Sequence, residues 1–243
     1  MPKVAVGTGE LYYEEAGKGI PLILLHSGGG STAQWKPNLS AFAEKYRVIA
    51  YDRPGYGQSS PREFFPLDYF DRDVEDLAAL LDKLGLTERV FLCGCSDGGT
   101  IALLFAARFP ERTRAIVCEG AHGYVEEKAV KALREERRRW EEGFRNKGLW
   151  GTPRARAQAA FFDRWLDPAF RDWNIMDQLA KIVCPTLIVQ GAEDEYAEMS
   201  HAERLAEAIK GSELWKVDGA GHMPHASLPD KFNRRVLAFL ADK

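Results

Sequence analysis

A short apolar β-type run ends in Gly94-Cys95-Ser96-Asp97-Gly98, and a small-residue helical run from Thr100 to Phe109 follows and stops at Pro110. No other stretch constrains the fold as strongly. The G-x-S-x-G spacing between a strand and a helix turns the chain sharply and lifts a serine hydroxyl above the carboxyl ends of a parallel sheet. The glycines have a steric reason. The serine backbone is strained in such a turn, and a side chain at Gly94 or Gly98 would crowd the neighbouring strand or helix.

The rest of the chain supplies the sheet that this turn requires. Leu11–Glu15, Pro21–His26, Tyr46–Tyr51, Arg114–Cys118, Thr186–Gln190 and Glu213–Val217 read as strands, the second as a continuous apolar run suited to a sheet interior. Helices are predicted over Asp68–Leu84, Ala197–Ile209 and Asp230–Leu240 between and after them. Alternating strands and helices imply an α/β fold with a doubly wound, mostly parallel sheet. Residues 121–182 break the alternation. They hold no convincing strand, and helices are predicted at Glu126–Glu142, Ala155–Trp165 and Phe170–Leu179, the first with Val125, Ala129, Leu133, Trp140 and Phe144 on one face. The expected organisation is a core of residues 1–120 and 183–243 with a helical cap, 121–182, over the sheet's carboxyl edge, where active sites of such sheets form.

With 243 residues the chain can bury one large core. The formal net charge of −3 gives no general attraction to nucleic acid or an anionic membrane. No apolar run is long enough to span a bilayer, and the first residues lack the apolar core of a secretory signal. Cys93, Cys95, Cys118 and Cys184 lie in or beside apolar runs and read as buried thiols of a reducing, cytoplasmic compartment. Neither a metal nor an organic cofactor is expected. Cys93 and Cys95 have no further cysteine or histidine nearby at zinc-ligand spacing, and the glycine runs lack phosphate-loop spacing. Nothing in the sequence sets the oligomeric state.

A serine hydroxyl needs a base, and the base an orienting acid. His222, in the loop Asp218-Gly219-Ala220-Gly221 that follows the last predicted strand, is the candidate base. His225 is its competitor, with loop packing or solvation as its plain role, and His201 falls in a predicted surface helix. After Thr186–Gln190, the run Glu193-Asp194-Glu195 offers three carboxylates, and Asp194 is preferred because it turns back over the sheet. The N–H groups of Asp97 and Gly28 are the candidate oxyanion donors, Gly28 lying in His26-Ser27-Gly28-Gly29-Gly30.

These pieces, together with Asp52-Arg53-Pro54-Gly55-Tyr56-Gly57 and Pro185–Asp194, resemble the alpha/beta-hydrolase superfamily along nearly the whole chain. The resemblance implies Ser96 as nucleophile, Asp194 as acid, His222 as base, and Gly28 and Asp97 as the oxyanion hole. At the elbow, Ser96-Asp97-Gly98-Gly99 is similar to the valacyclovir hydrolase (biphenyl hydrolase-like) enzymes, which implies that Asp97 holds a substrate ammonium group. The chain departs from the pattern at Ser27, where a glycine is usual, at Cys95, and in lacking a proline soon after Asp194. The expected activity is hydrolysis of small carboxylic esters by water through an acyl-enzyme, with α-amino acid esters as a subclass. His122, Trp140 and Trp165 are expected at the substrate. A carbon–carbon bond hydrolase or perhydrolase on the same triad is the alternative enzyme, and a receptor-like binding protein with slow turnover the alternative from another class.

Overall fold

The computed structural model describes residues 2–243. Strands β1 (Lys3–Val6), β2 (Gly9–Ala16) and β3 (Pro21–Leu25) are followed by helix α1 (Lys36–Ala43), β4 (Arg47–Tyr51) and α2 (Tyr69–Lys83). Then come β5 (Val90–Cys95), α3 (Asp97–Arg108) and β6 (Thr113–Glu119), and a helical excursion of α4 (Glu127–Asn146), α5 (Pro153–Leu166) and α6 (Met176–Leu179). The chain returns through β7 (Thr186–Gly191), α7 (Met199–Ala208), β8 (Glu213–Val217), α8 (Pro224–Ser227) and α9 (Pro229–Leu240).

One sheet of order β1-β2-β4-β3-β5-β6-β7-β8 results, antiparallel at β1–β2 and β2–β4 and parallel from β4 onward. Its inner strands β3, β5 and β7 are buried at every position, because helices cover both faces. The two-residue period of a strand divides their side chains between two cores. Ile23 and Leu25 pack with α2 and α3, whereas Leu22 and Leu24 pack toward α1 and α9. The expected doubly wound α/β architecture is present.

Differences from the sequence-based expectations are local. Strand β1 is four residues long on the sheet edge and alternates between exposed and half-buried positions, so its apolar residues Val4, Ala5 and Val6 are too few to betray it. Helix α1 opens on Lys36-Pro37, proline being tolerated in a first turn. The helix predicted over Phe170–Leu179 is interrupted. A 3-10 turn at Pro168–Phe170 gives way to an isolated bridge between Asn174 and Tyr124, and α6 starts only after Asn174 Oδ1 accepts a 2.8 Å hydrogen bond from Met176 N–H. A side chain that competes for backbone donors breaks a helix in this way. No helix among the described residues is long and apolar enough to cross a membrane.

Candidate active site

Ser96 joins β5 to α3 at φ 53° and ψ −120°, and it is the only described non-glycine residue with positive φ. Two backbone bonds hold it there. Its N–H donates to Glu119 O at 2.7 Å, and its carbonyl accepts from Thr100 N–H at 2.9 Å. The flanking glycines permit the close packing. A Cβ on Gly94 would lie 2.2 Å from Gly98 O, and one on Gly98 would lie 2.1 Å from Leu25 O. Asp97 is the first residue of α3, so its N–H has no acceptor within the helix.

The loop after β8 brings His222 to the same edge. Its Nδ1 lies 2.8 Å from Asp194 Oδ2, which fixes the proton on Nδ1 and leaves Nε2 as the acceptor. Asp194 is itself held in place. Gln190 Nε2 donates to Oδ2 at 2.6 Å, and the N–H groups of Tyr196 and Ala197 donate to Oδ1 at 2.7 and 3.1 Å. These bonds explain how Asp194 is selected from three adjacent acids: the tight turn after β7 buries only this one, and Glu193 and Glu195 stay exposed. Burial works against a charged His222, yet the hydrogen bond and charge of Asp194, with Glu119 and Glu195 behind it, raise its pKa above the usual histidine value. Asp194 moves the opposite way, its burial outweighed by His222 and the two backbone donors.

Ser96, His222, Asp97 and Gly28 all line one cavity of about 110 Å³. The helical excursion forms its other wall through Leu133, Glu136, Phe161 and Trp165. Phe161 sits so close over Gly28 that a Cβ there would lie 2.3 Å from its ring. The sequence model of the alpha/beta hydrolase family matches residues 22–235. The chain belongs to the alpha/beta hydrolase family. This hydrolase is 35% identical to serine hydrolase BPHL of Mus musculus over 98% of its own length and 85% of that protein's. It is 27% identical to a 2-hydroxy-6-oxo-6-phenylhexa-2,4-dienoate hydrolase of Comamonas testosteroni, over 96% of this chain and 92% of that one. Among solved structures, carboxylesterase CesB from Bacillus subtilis superposes with a TM-score of 0.78 at 25% identity, covering 99% of this chain and 91% of that one.

Not every expected residue of the hydrolase reaches the cavity. His122 lines it, and its Nδ1 accepts and donates no hydrogen bond. Burial, with His201 and His222 nearby, holds the His122 pKa well below the usual value, so the ring is neutral. Trp165 lines the cavity too, its Nε1 donating to Tyr69 Oη at 3.0 Å. Trp140 does not line it. Its ring packs between α4 and α5 against Phe144, Trp150 and Phe162, because its face of α4 meets α5. His201 is fully buried rather than on a surface: Nε2 accepts from Gly123 N–H at 2.9 Å, and Nδ1 lies 3.1 Å from Glu126. His225, expected to pack or be solvated in its loop, is fully buried and bound to Glu119.

The side chain of Asp97 is engaged as well as its backbone. Its Oδ2 lies 3.3 Å from Arg53 Nη2 and accepts from Tyr69 Oη at 3.2 Å, while Oδ1 has no hydrogen-bond partner. Burial pushes the Asp97 carboxyl up, against the pull of Arg53. Arg53 is shared with Asp73, which also meets Arg62, and Arg62 reaches Asp76. In this network two guanidinium groups face three carboxylates, leaving one negative charge in excess. Arg53 belongs to a motif already quoted from the sequence, but its role was invisible without Asp73 and Asp97. Glu136 and Tyr196 were also missed. Tyr196 Oη donates to Glu136 Oε2 at 2.8 Å, tying α4 to the loop that bears Asp194.

Proposed function

We propose that the protein is a serine hydrolase that cleaves small carboxylic esters, α-amino acid esters in particular, through an acyl-enzyme on Ser96. The observation that carries this reading is the Asp194–His222 pair placed on the cavity that Ser96 lines. His222 Nε2 takes the Ser96 proton as Oγ bonds to the ester carbonyl carbon, and the N–H groups of Asp97 and Gly28 receive the oxyanion. The protonated histidine then gives its proton to the leaving alcohol as the ester C–O bond breaks. Water attacks the acyl group with His222 again as base, and Ser96 departs with the returned proton.

The wall chemistry supports a cationic acyl group. Asp97, Glu136 and Glu195 line the cavity, and no lysine or arginine does so among the described residues. Asp97 offers an unpaired oxygen and an ion network with one carboxylate in excess, so a substrate ammonium completes the balance. A volume of about 110 Å³ is below the roughly 150 Å³ that admits benzene, which favours small acyl groups. The carbon–carbon bond reading draws on the Comamonas relative, but a dienoate is an anion and this wall repels anions. Residues 121–182 act in this proposal as a cap over residues 1–120 and 183–243. The free cysteines, three of them buried, fit a reducing, cytoplasmic setting.

Hydrolysis of p-nitrophenyl acyl esters by the wild type and by Ser96→Ala tests the chemistry. Loss of at least about 10⁴-fold in kcat is expected, and equal rates would overturn the assignment. A panel of esters differing only in the α-amino group tests the substrate class. A fluorophosphonate probe that fails to label Ser96 in folded protein would favour a binding role.

A further inference from the structure

We infer that Glu119 and His225 form a positioning pair that locks the His222 loop against the Ser96 elbow. The inference rests on the proposed role of His222 as the base. Glu119 ends β6, directly beside Cys95 of β5, and is fully buried. Its backbone carbonyl accepts the N–H of Ser96 at 2.7 Å. Its side chain grips α8: Oε1 accepts from His225 N–H at 2.7 Å, and Oε2 lies 2.5 Å from His225 Nδ1. One residue therefore holds the strained backbone of the nucleophile and the turn that follows the base.

Two further contacts make the arrangement specific. Gly120, next in the chain at φ 54°, forms the floor under His222, since a Cβ there would lie 2.7 Å from Cε1 and 2.9 Å from Nδ1. His225 is anchored on its far side as well. Its carbonyl accepts from Asn38 Nδ2 at 3.0 Å, and its ring lies against Trp35 with centroids 4.6 Å apart. Ligand atoms of Cys95, Glu119 and His225 lie within 4.8 Å of one another, a spacing that a metal ion could use. Both carboxylate oxygens are already committed to His225, so hydrogen bonding accounts for the cluster. A loop without this grip leaves His222 held by the Asp194 bond, the Glu195 bond to its N–H and ring packing alone. A displacement of the order of 1 Å at a catalytic group costs on the order of 10²-fold in rate.

Glu119 also acts on His222 through charge. The groups around that ring are Asp194, Glu195 and Tyr196 from the loop after β7, Glu119 and His122 from the end of β6 and the segment after it, and Asp97 and Glu136 across the cavity. Glu119→Gln keeps the shape and removes one of these negative charges. The His222 ring titration then moves to lower pH.

The test uses Glu119→Gln, His225→Phe and His225→Asn, the last returning an amide N–H near the place of Nδ1. Three readouts are needed: the thermal melt, the rate at which a fluorophosphonate labels Ser96, and the His222 ring pKa by NMR. Slowing by about 10- to 100-fold in His225→Phe, substantial recovery in His225→Asn, and a lowered His222 pKa in Glu119→Gln are expected. Folded Glu119→Gln and His225→Phe with wild-type labelling and a wild-type His222 pKa would overturn the inference. If His225→Phe does not fold, Glu119→Gln decides alone. The NMR readout needs no substrate, so a protein without ester hydrolysis would refute the proposed function and still report on this pair.

Discussion

Asp97 has one oxygen engaged by Arg53 and Tyr69 and the other without a partner, which is an expensive state for a buried carboxylate unless a ligand completes it. Asp97→Asn keeps the shape and removes the charge. A hydrogen bond to a charged group contributes about 1.5–3 kcal/mol, so kcat/KM for α-amino esters is expected to fall roughly 10- to 100-fold. The matching esters without the amino group should change by less than about threefold, and a panel of paired esters checks this. Asp194→Asn should lower kcat by about three to four orders of magnitude by misplacing the His222 tautomer. Because Asp194 raises the His222 pKa, the acid limb of wild-type kcat/KM should have its midpoint above about 6.5, which the pH–rate profile reads directly. Ser96, Asp194 and His222 were legible because each sits in a short local pattern. Glu119 and His225 were not, since they are 106 positions apart and meaningless singly. The one clue was an acid directly after the apolar run Ala115–Cys118.

The elbow works as a unit of strand, turn and helix, and its glycines carry the packing. Gly98→Ala puts a Cβ 2.1 Å from a backbone oxygen that has nowhere to go. It should cost about 3 kcal/mol or more, or else displace Ser96; a thermal melt and probe labelling together check this. Gly143 in α4 has nothing within 4 Å of its Cβ position. Gly143→Ala should therefore stabilise the protein by about 0.5–1 kcal/mol in the same melt. The alternation of elements was readable because the buried strands of a covered sheet are continuous apolar runs and their helices are amphipathic. Strand β1 and helix α1 escaped, as edge and short elements carry little of either signal. The break before α6 escaped because it depends on one Asn174 side-chain bond that periodicity does not register.

Across the molecule, several buried groups tie stability to pH. His26 donates from Nδ1 to Ser27 O at 2.7 Å and accepts at Nε2 from Arg53 N–H at 2.9 Å, a pattern that only the neutral ring satisfies. Burial, with Arg53 adding to it, holds its pKa well below the usual value. The unfolded chain therefore takes up a proton that the folded state refuses. His26 thus lowers stability as pH falls below about 6.5, until the folded value is reached, and has no effect at higher pH. His26→Gln should make the stability-versus-pH slope between about pH 6.5 and 5 shallower by up to roughly 1.4 kcal/mol per unit, as measured by denaturant melts. The excursion between β6 and β7 bears on a different matter. Leu133, Glu136, Phe161 and Trp165 reach the cavity from this one unbroken stretch, whereas Ser96, Asp194 and His222 all come from outside it. The helical wall of the cavity and the Ser96, Asp194 and His222 side chains are therefore encoded by separate lengths of the gene. A recombination event that exchanged only the codons between those two strands would replace that wall and leave Ser96, Asp97, Asp194 and His222 in place.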